Sequence, residues 1–243
     1  MLSAVMLTFA SCKKEIEESE NPTIKSCTLI SSSDSDGANV KLTYDVNGRI
    51  TMHALVDGTY QSTHSYTYSS NQIIQKTVVK TQIYNVTFQE TFILDNLGKV
   101  TSSKRFDGSD EYTTTYTYNS DGYLSTAITN GSLGVVNSIR YIWFDGNLSS
   151  YTSTAETITY EYSSQTMPKN FYHDDISLLP SEFVSPLRGY FGKGIKNLPS
   201  KWSTKTNSYV YTYSTDSNGN LITMGVKYGL SSSTLTNFEY SCK

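Results

Sequence analysis

The chain has 243 residues, a formal net charge of −3 and a hydrophobic fraction of 37%. This balance leaves no basic face, which excludes a nucleic acid as partner. The length suffices for one large domain, and the 20 tyrosines predict a core built mainly from aromatic rings.

The N-terminus carries an apolar segment that ends at a cysteine. Residues 2–11 are apolar or small and run directly into Cys12. This pattern is typical of the end of a bacterial lipoprotein signal peptide, whose small residues precede the lipidated cysteine. We predict a signal peptide over 1–11 and a membrane anchor at Cys12. The basic beginning of such a peptide is missing, which leaves the true start open, and the alternative is a chance cysteine.

Residues 12–24 form the next segment. Lys13–Glu20 is charged and has no periodicity, so we predict a flexible tether. Acidic residues just after a lipidated cysteine resemble the surface-export signal of Bacteroidetes lipoproteins, and the alternative is a plain solvated linker. The remainder, 25–243, is predicted as one β-repeat domain.

The stretch Tyr112–Thr126 shows the pattern on which this domain is built. Tyrosine and threonine alternate from Tyr112 to Tyr118, which gives a strand with one aromatic face and one threonine face. Asp121-Gly122 then supplies the signal of a tight hairpin turn. We therefore predict two antiparallel strands joined by that turn.

The turn recurs along the chain. Equivalent positions are Gly48, Gln72, Gly98, Gly122 and Gly146, spaced by 24, 26, 24 and 24 residues, and Gly219 follows after 73, or about three periods. An aliphatic residue stands two positions after each turn. A fixed period of two strands predicts an all-β, up-and-down antiparallel meander. We expect about 12 to 15 strands, and a sheet of that size curls or closes into a barrel.

The strand faces argue against a membrane-spanning barrel. Neither face of Lys99–Phe106 is continuously apolar, whereas a barrel in lipid needs an uninterrupted apolar band. No apolar run is long enough for a membrane helix. We predict a soluble domain held at the membrane only by lipid.

The repeat breaks near residues 170–202. Four of the five prolines fall between Met167 and Trp202, among apolar residues spaced by three and four. This predicts an irregular insertion with one or two short helical turns. Such an insertion is either functional or a plug over an open core, and we favour the plug.

Cys27 and Cys242 lie in the predicted first and last strands. With Cys12 lipidated, they are the remaining thiols among the three cysteines. If the sheet closes, these strands become neighbours and a Cys27–Cys242 disulfide can form in the oxidising envelope. The alternative is two small, partly buried cysteines without a partner.

Catalytic and metal-binding motifs are weak or missing. His53, His64 and His173 lack metal-ligand spacing, so we expect no metal site. Tyr172 and His173, with the two aspartates that follow, could form an acid–base site, but a polar loop capping a helical turn is favoured. No nucleophile, phosphate or dinucleotide fingerprint occurs, so we expect neither a cofactor nor an enzyme.

Several segments carry a family resemblance. Tyr44–Ile50, Tyr118–Leu124 and, more loosely, Tyr213–Leu221 resemble YD-type repeats. Together with Ser11-Cys12 and Leu187–Ser200, they make the chain similar to a family of Bacteroidetes lipoproteins of unknown function with a porin-like fold. This resemblance implies the fold and supplies no activity.

Our first functional hypothesis is a non-catalytic, outer-membrane or surface lipoprotein that binds a glycan or a protein. Its candidate ligand-binding residues are Trp143, Tyr172, His173, Tyr190 and Trp202, because aromatic rings stack on apolar faces. The alternative is a structural or assembly component of the envelope, and a hydrolase is a remote third possibility.

Overall fold

The computed structural model describes residues 27–168, 180–229 and 233–242. Strands make up nearly all of these residues, with one helical turn, α1 (Ser181–Val184), and one 3₁₀ turn, Arg188–Tyr190. The strands are β1 (Cys27–Asp34), β2 (Asn39–Tyr44), β3 (Ile50–Asp57), β4 (Tyr60–Tyr68), β5 (Gln72–Lys80), β6 (Asn85–Leu94), β7 (Val100–Phe106), β8 (Glu111–Tyr118), β9 (Leu124–Gly131), β10 (Gly134–Phe144), β11 (Asn147–Thr152), β12 (Thr157–Thr166), β13 (Asn197–Ser203), β14 (Ser208–Thr215), β15 (Leu221–Tyr228) and β16 (Ser233–Cys242).

The sheet is a closed barrel in which each strand pairs with the next and β1 pairs with β16. The predicted all-β, up-and-down meander is therefore confirmed, and the sheet is closed. The described residues form 16 strands, slightly more than expected. Between Gly146 and Gly219 the described residues hold β11–β14 and part of the insertion, which makes two repeats rather than three. None of the described helices is long and apolar enough to cross a membrane.

The hairpin turns at one end of the barrel share a pair of hydrogen bonds from backbone N–H groups to an Asn or Asp side chain. Asn119 Oδ1 accepts the backbone N–H groups of Asp121 and Tyr123 at 3.1 and 3.0 Å, and Gly122 has a φ of +86°. The predicted tight hairpin turn is therefore a three-residue loop with glycine in the left-handed region. Asp45, Asp95 and Asp216 accept equivalent pairs of N–H groups.

The repeat has a second physical cause. The aliphatic residues that follow the turns form a buried ring at this end, in which Val100, Leu124 and Leu148 are completely inaccessible. A tyrosine or tryptophan near the end of a neighbouring strand then donates a hydrogen bond to a backbone carbonyl of this ring. Tyr118 donates to Val100 at 2.6 Å, and Trp143 Nε1 donates to Leu124 at 2.7 Å. Each repeat thus locks its own turn onto the repeat before it.

The two faces of the sheet differ in chemistry. Tyr116 and Tyr118 pack against the buried core, whereas Thr117 and Thr126 face outward and join their hydroxyl groups at 2.6 Å. The predicted aromatic face is therefore the interior of the barrel, and the threonine face is its surface.

The insertion closes the barrel at the end where the buried ring lies. Phe183, Leu187, Phe191 and Ile195 are buried in the core, so the described segment 180–196 is a plug, as favoured from the sequence. The predicted end at residue 202 is wrong, because strand β13 resumes at Asn197. Pro199 is accommodated there at a shift in register, a position that tolerates a missing N–H.

A polar cavity in the barrel as candidate functional site

A cavity of about 520 Å³ lies inside the barrel above the plug. Its wall comes from strands β3–β10 and its floor from the plug. The polar lining residues are His53, His64, Gln75, Glu90, Arg105, Thr114, Thr129, Asn137, Ser181, Glu182 and Ser185. The apolar and aromatic ones are Tyr66, Phe92, Tyr116, Ala127, Ile139, Pro186, Leu187 and Phe191. A volume of this size is typical of small-molecule sites.

Strand register places much of the polar lining in one row. Gln75 stands opposite both Tyr66 and Glu90, Glu90 stands opposite Arg105, and Arg105 stands opposite Tyr112. We call these five residues the polar row. The Arg105 guanidinium lies 5.2 Å from the centre of the Tyr112 ring, a cation–π distance. The row therefore runs across β4–β8 and places one cation beside one carboxylate.

Two histidines meet at the edge of this row. The rings of His53 and His64 stack with centroids 5.2 Å apart. Gln75 Nε2 lies 3.1 Å from His64 Nδ1, and Thr77 Oγ1 lies 2.9 Å from the same nitrogen. An amide N–H can only donate, so this contact makes Nδ1 an acceptor. In the described part of the chain no three His, Cys, Asp or Glu side chains form a group that could hold a metal ion.

Two carboxylates, Glu90 on β6 and Glu182 on the plug, face the cavity. Burial raises the pKa of Glu90, while the Ser103 hydroxyl and the Arg105 charge act in the opposite direction. Burial also raises the pKa of Glu182, and the charge of Glu90 raises it further. Glu182 borders the cavity and is half-buried, so its carboxylate is not packed in a dry core. Both groups are easier to protonate than an ordinary glutamate.

The cavity continues away from the plug. An adjoining pocket of about 270 Å³ shares Glu90, Arg105 and Asn137 with it and adds Tyr112 and Val136. These two residues stand near the ends of β8 and β10 opposite the plug. The polar interior therefore extends toward the end of the barrel that the plug leaves open.

The aromatic residues predicted to bind a ligand have other positions. Trp143 donates to a backbone carbonyl and packs edge-on against Phe183 at 5.2 Å. Tyr190 stacks on Tyr68 at 6.1 Å. Trp202 is 8% exposed and stacks on a neighbouring ring at 4.4 Å. Trp143, Tyr190 and Trp202 pack the barrel and its plug, and none of them lines the cavity.

Three of the predicted site residues cannot be placed. Cys12, Tyr172 and His173 lie outside the described residues. Their roles in lipidation and ligand binding stay predictions.

The first and last strands of the barrel, β1 and β16, are joined covalently. Cys27 and Cys242 are directly opposite each other in the β1–β16 pair and form a disulfide, with their Cα atoms 4.0 Å apart. The bond lies at the plug end, since Tyr44, just before a turn of that end, donates to Leu29 near the start of β1.

The cavity residues carry a weak signal in the sequence. Phe88, Glu90 and Phe92 share one face of β6, so the alternation places a carboxylate among aromatic rings on the inner face. A polar residue in that position is the observation that could have indicated Glu90. Glu182 offered no such signal, because its place in the barrel depends on how the plug folds.

A family model described as a domain of unknown function with porin-like fold, DUF4595, matches residues 42–223. The chain belongs to the DUF4595 family. The family's porin-like fold agrees with the closed barrel, so the predicted family of unknown function and its fold are confirmed, whereas the lipoprotein and YD-repeat parts of the resemblance stay predictions.

Two crystal structures share the fold of this DUF4595 protein. A porin-like protein from Bacteroides uniformis is 15% identical, with a TM-score of 0.62 over 88% of this chain and 96% of that one. A porin-like protein from Bacteroides vulgatus is 16% identical, with a TM-score of 0.57 over 88% of this chain and 99% of that one. None of the curated proteins matches the chain.

Proposed function

We propose that this protein is a non-catalytic binding protein of the bacterial cell envelope that holds a small glycan in the cavity of its barrel. The cavity carries the proposal: about 520 Å³ lined by amide, hydroxyl, imidazole and carboxylate groups above aromatic rings. Convergent polar groups beside apolar surface are the usual composition of a ligand site. The binding residues are thus the polar row and its neighbours, rather than the tryptophans.

The envelope location is the second part of the proposal. It is supported by the lipoprotein pattern that ends at Cys12. The chain enters the barrel at Cys27, at the plug end, so a tether from a lipid anchor at Cys12 attaches on the same side as the plug. The open end is then clear of the tether, and a ligand can enter there.

Ligand binding is tested with a matched pair of variants. Gln75 lines the cavity, whereas Gln89, on the adjacent strand, faces outward. The purified protein is screened against bacterial and host glycans, with the shift in melting temperature as readout. We expect Gln75→Ala to abolish the shift given by a hit and Gln89→Ala to preserve it. A hit that survives Gln75→Ala would place binding elsewhere, and a screen without hits would favour a structural role.

The anchor is tested by labelling cells with a fatty-acid analogue. The wild-type protein is expected to take up the label and fractionate with membranes. The Cys12→Ser variant is expected to lose both properties. Equal labelling of the two proteins would refute lipidation at Cys12.

A hydrolase is the second candidate, because Glu90 and Glu182 share one cavity. Two-carboxylate hydrolysis requires one acid and one ionised base or nucleophile, whose pKa values are pushed apart. Here burial raises both pKa values, which favours binding over catalysis. Turnover of nitrophenyl glycosides that disappears in Glu182→Gln would reverse this assignment.

A further inference from the structure

The charges that face the cavity do not balance. The charged lining residues are Glu90, Glu182 and Arg105, which leave an excess of one negative charge when the histidines are neutral. Arg105 stands opposite Glu90 and lies over the Tyr112 ring. Its charge is therefore already shared with Glu90, and the carboxylate left over is Glu182.

Glu182 lies on the floor of the cavity, and within the described residues no cationic group is among those that act on its carboxyl. The described groups that act on its carboxyl are Ser181, Tyr141 and Glu90, and none of these is positively charged. An ionised carboxylate that is desolvated inside a barrel is costly unless a positive charge accompanies it. A ligand with a cationic group supplies that charge, whereas an anionic ligand meets repulsion from both glutamates.

The other lining residues indicate the chemistry of the rest of the ligand. Thr114, Thr129 and Asn137 offer hydroxyl and amide groups that donate and accept hydrogen bonds. Tyr116 and Phe191, whose ring centroids lie 5.1 Å apart, provide apolar surface at the floor. A compact ring with many hydroxyl groups and an apolar face satisfies both.

We propose that the cavity binds an amino sugar with a free amine, its ammonium group against Glu182 and its hydroxyl groups on Thr114, Thr129 and Asn137. This inference rests on the proposed binding function and specifies its ligand class. The adjoining pocket of about 270 Å³ gives room for a second sugar unit toward the open end.

The test compares two disaccharides, N,N′-diacetylchitobiose and its fully de-N-acetylated form, in which an ammonium group replaces the neutral acetamide on each ring. Binding to the purified protein is measured by titration calorimetry near neutral pH. A hydrogen bond to a charged group predicts about 10- to 100-fold tighter binding of the free amine. Glu182→Gln is expected to remove this preference. The control, Glu161→Gln, lies on the outer face, where Glu161 pairs with Lys201 at 2.9 Å, and is expected to keep it.

The outcomes separate the ligand class from the binding function itself. Equal affinity for the two disaccharides would overturn the amino-sugar assignment and leave glycan binding standing. A preference for the amine that survives Glu182→Gln would overturn the role of Glu182. Failure of both disaccharides to bind at millimolar concentration would also overturn the assignment, and binding of other glycans in the screen would then show whether the proposed function holds.

Discussion

Gly192 is the point where the plug and the barrel wall come closest, and its replacement by alanine tests the plug. Gly192 has a φ of +80°, and an added Cβ would lie 2.5 Å from the carbonyl oxygen of Gly122. That oxygen accepts the N–H of Lys193 at 3.0 Å, and Gly192 itself bridges to Tyr123. The plug backbone must therefore shift at its main attachment to the wall.

The size of the effect follows from two costs. A left-handed alanine costs about 1–2 kcal/mol, and a weakened backbone hydrogen bond costs about 0.5–1.5 kcal/mol. We expect Gly192→Ala to lower the free energy of unfolding by about 1.5–3.5 kcal/mol in total. The control is Gly189→Ala in the same plug, since an added Cβ there meets no atom within 4 Å. We expect the control to change the free energy of unfolding by less than about 0.5 kcal/mol.

The measurement is urea unfolding followed by tryptophan fluorescence, with midpoint and slope fitted together. Trp143 packs directly on the plug residue Phe183, so its emission reports the attachment. Equal midpoints for Gly192→Ala and the wild type would refute the close approach. Equal losses in both variants would mean that the plug is sensitive to any substitution.

Three further predictions concern the disulfide, the buried carboxylate and the aromatic anchors. Alkylation of the unreduced, unlipidated protein should add one alkyl group, on Cys12, and three alkyl groups without reductant would contradict the disulfide. Reduction of the Cys27–Cys242 bond, whose cysteines are 215 residues apart, should lower the free energy of unfolding by about 5 kcal/mol in the chain-entropy model. The raised pKa of Glu182 means that the folded protein loses stability as pH rises from the ordinary value of 4.5 through the raised one. Glu182→Gln should therefore have the same urea midpoint as the wild type in acid and a higher urea midpoint at neutral pH. A difference in midpoint that does not change with pH would disprove this. Tyr118→Phe removes the hydrogen bond to Val100 and should cost about 1 kcal/mol in urea unfolding; an unchanged midpoint would contradict the anchor.

The barrel could be predicted from sequence because its determinants are local. The turn at Asn119, its glycine at position 122 and the aromatic Tyr118 lie within five consecutive residues, and the same group recurs along the chain. A period of this kind specifies an antiparallel neighbour without knowledge of the whole sheet. The strand number was underestimated because two strand pairs lack the recurring turn. The plug lies between β12 and β13, and β16 and β1 are the two ends of the chain.

The candidate site could not be predicted in the same way, because its residues are far apart in sequence. His53, Glu90 and Glu182 come together only through strand register and the fold of the plug. Residue type alone favoured the two tryptophans as ligand-binding residues, because tryptophans are conspicuous in the sequence. In the structure Trp143 and Trp202 are packing residues. The plug was predictable as a break in the repeat, but its last residue was not, because Pro199 sits at an irregularity inside a strand.

The pairing of β1 with β16 also determines how such a chain can fold. Hairpins between neighbouring strands can form as soon as their residues are available. Ser32 of β1 can pair with Phe238 only after β16 is available, and this pairing closes the barrel. Until then the growing sheet has two unpaired edges, which are templates for pairing with other chains. Closure is therefore the last and slowest step, because its contacts have the greatest separation in sequence. Loss of β16 alone would leave β1 and β15 as unpaired edges and would turn a self-contained barrel into a sheet prone to aggregation.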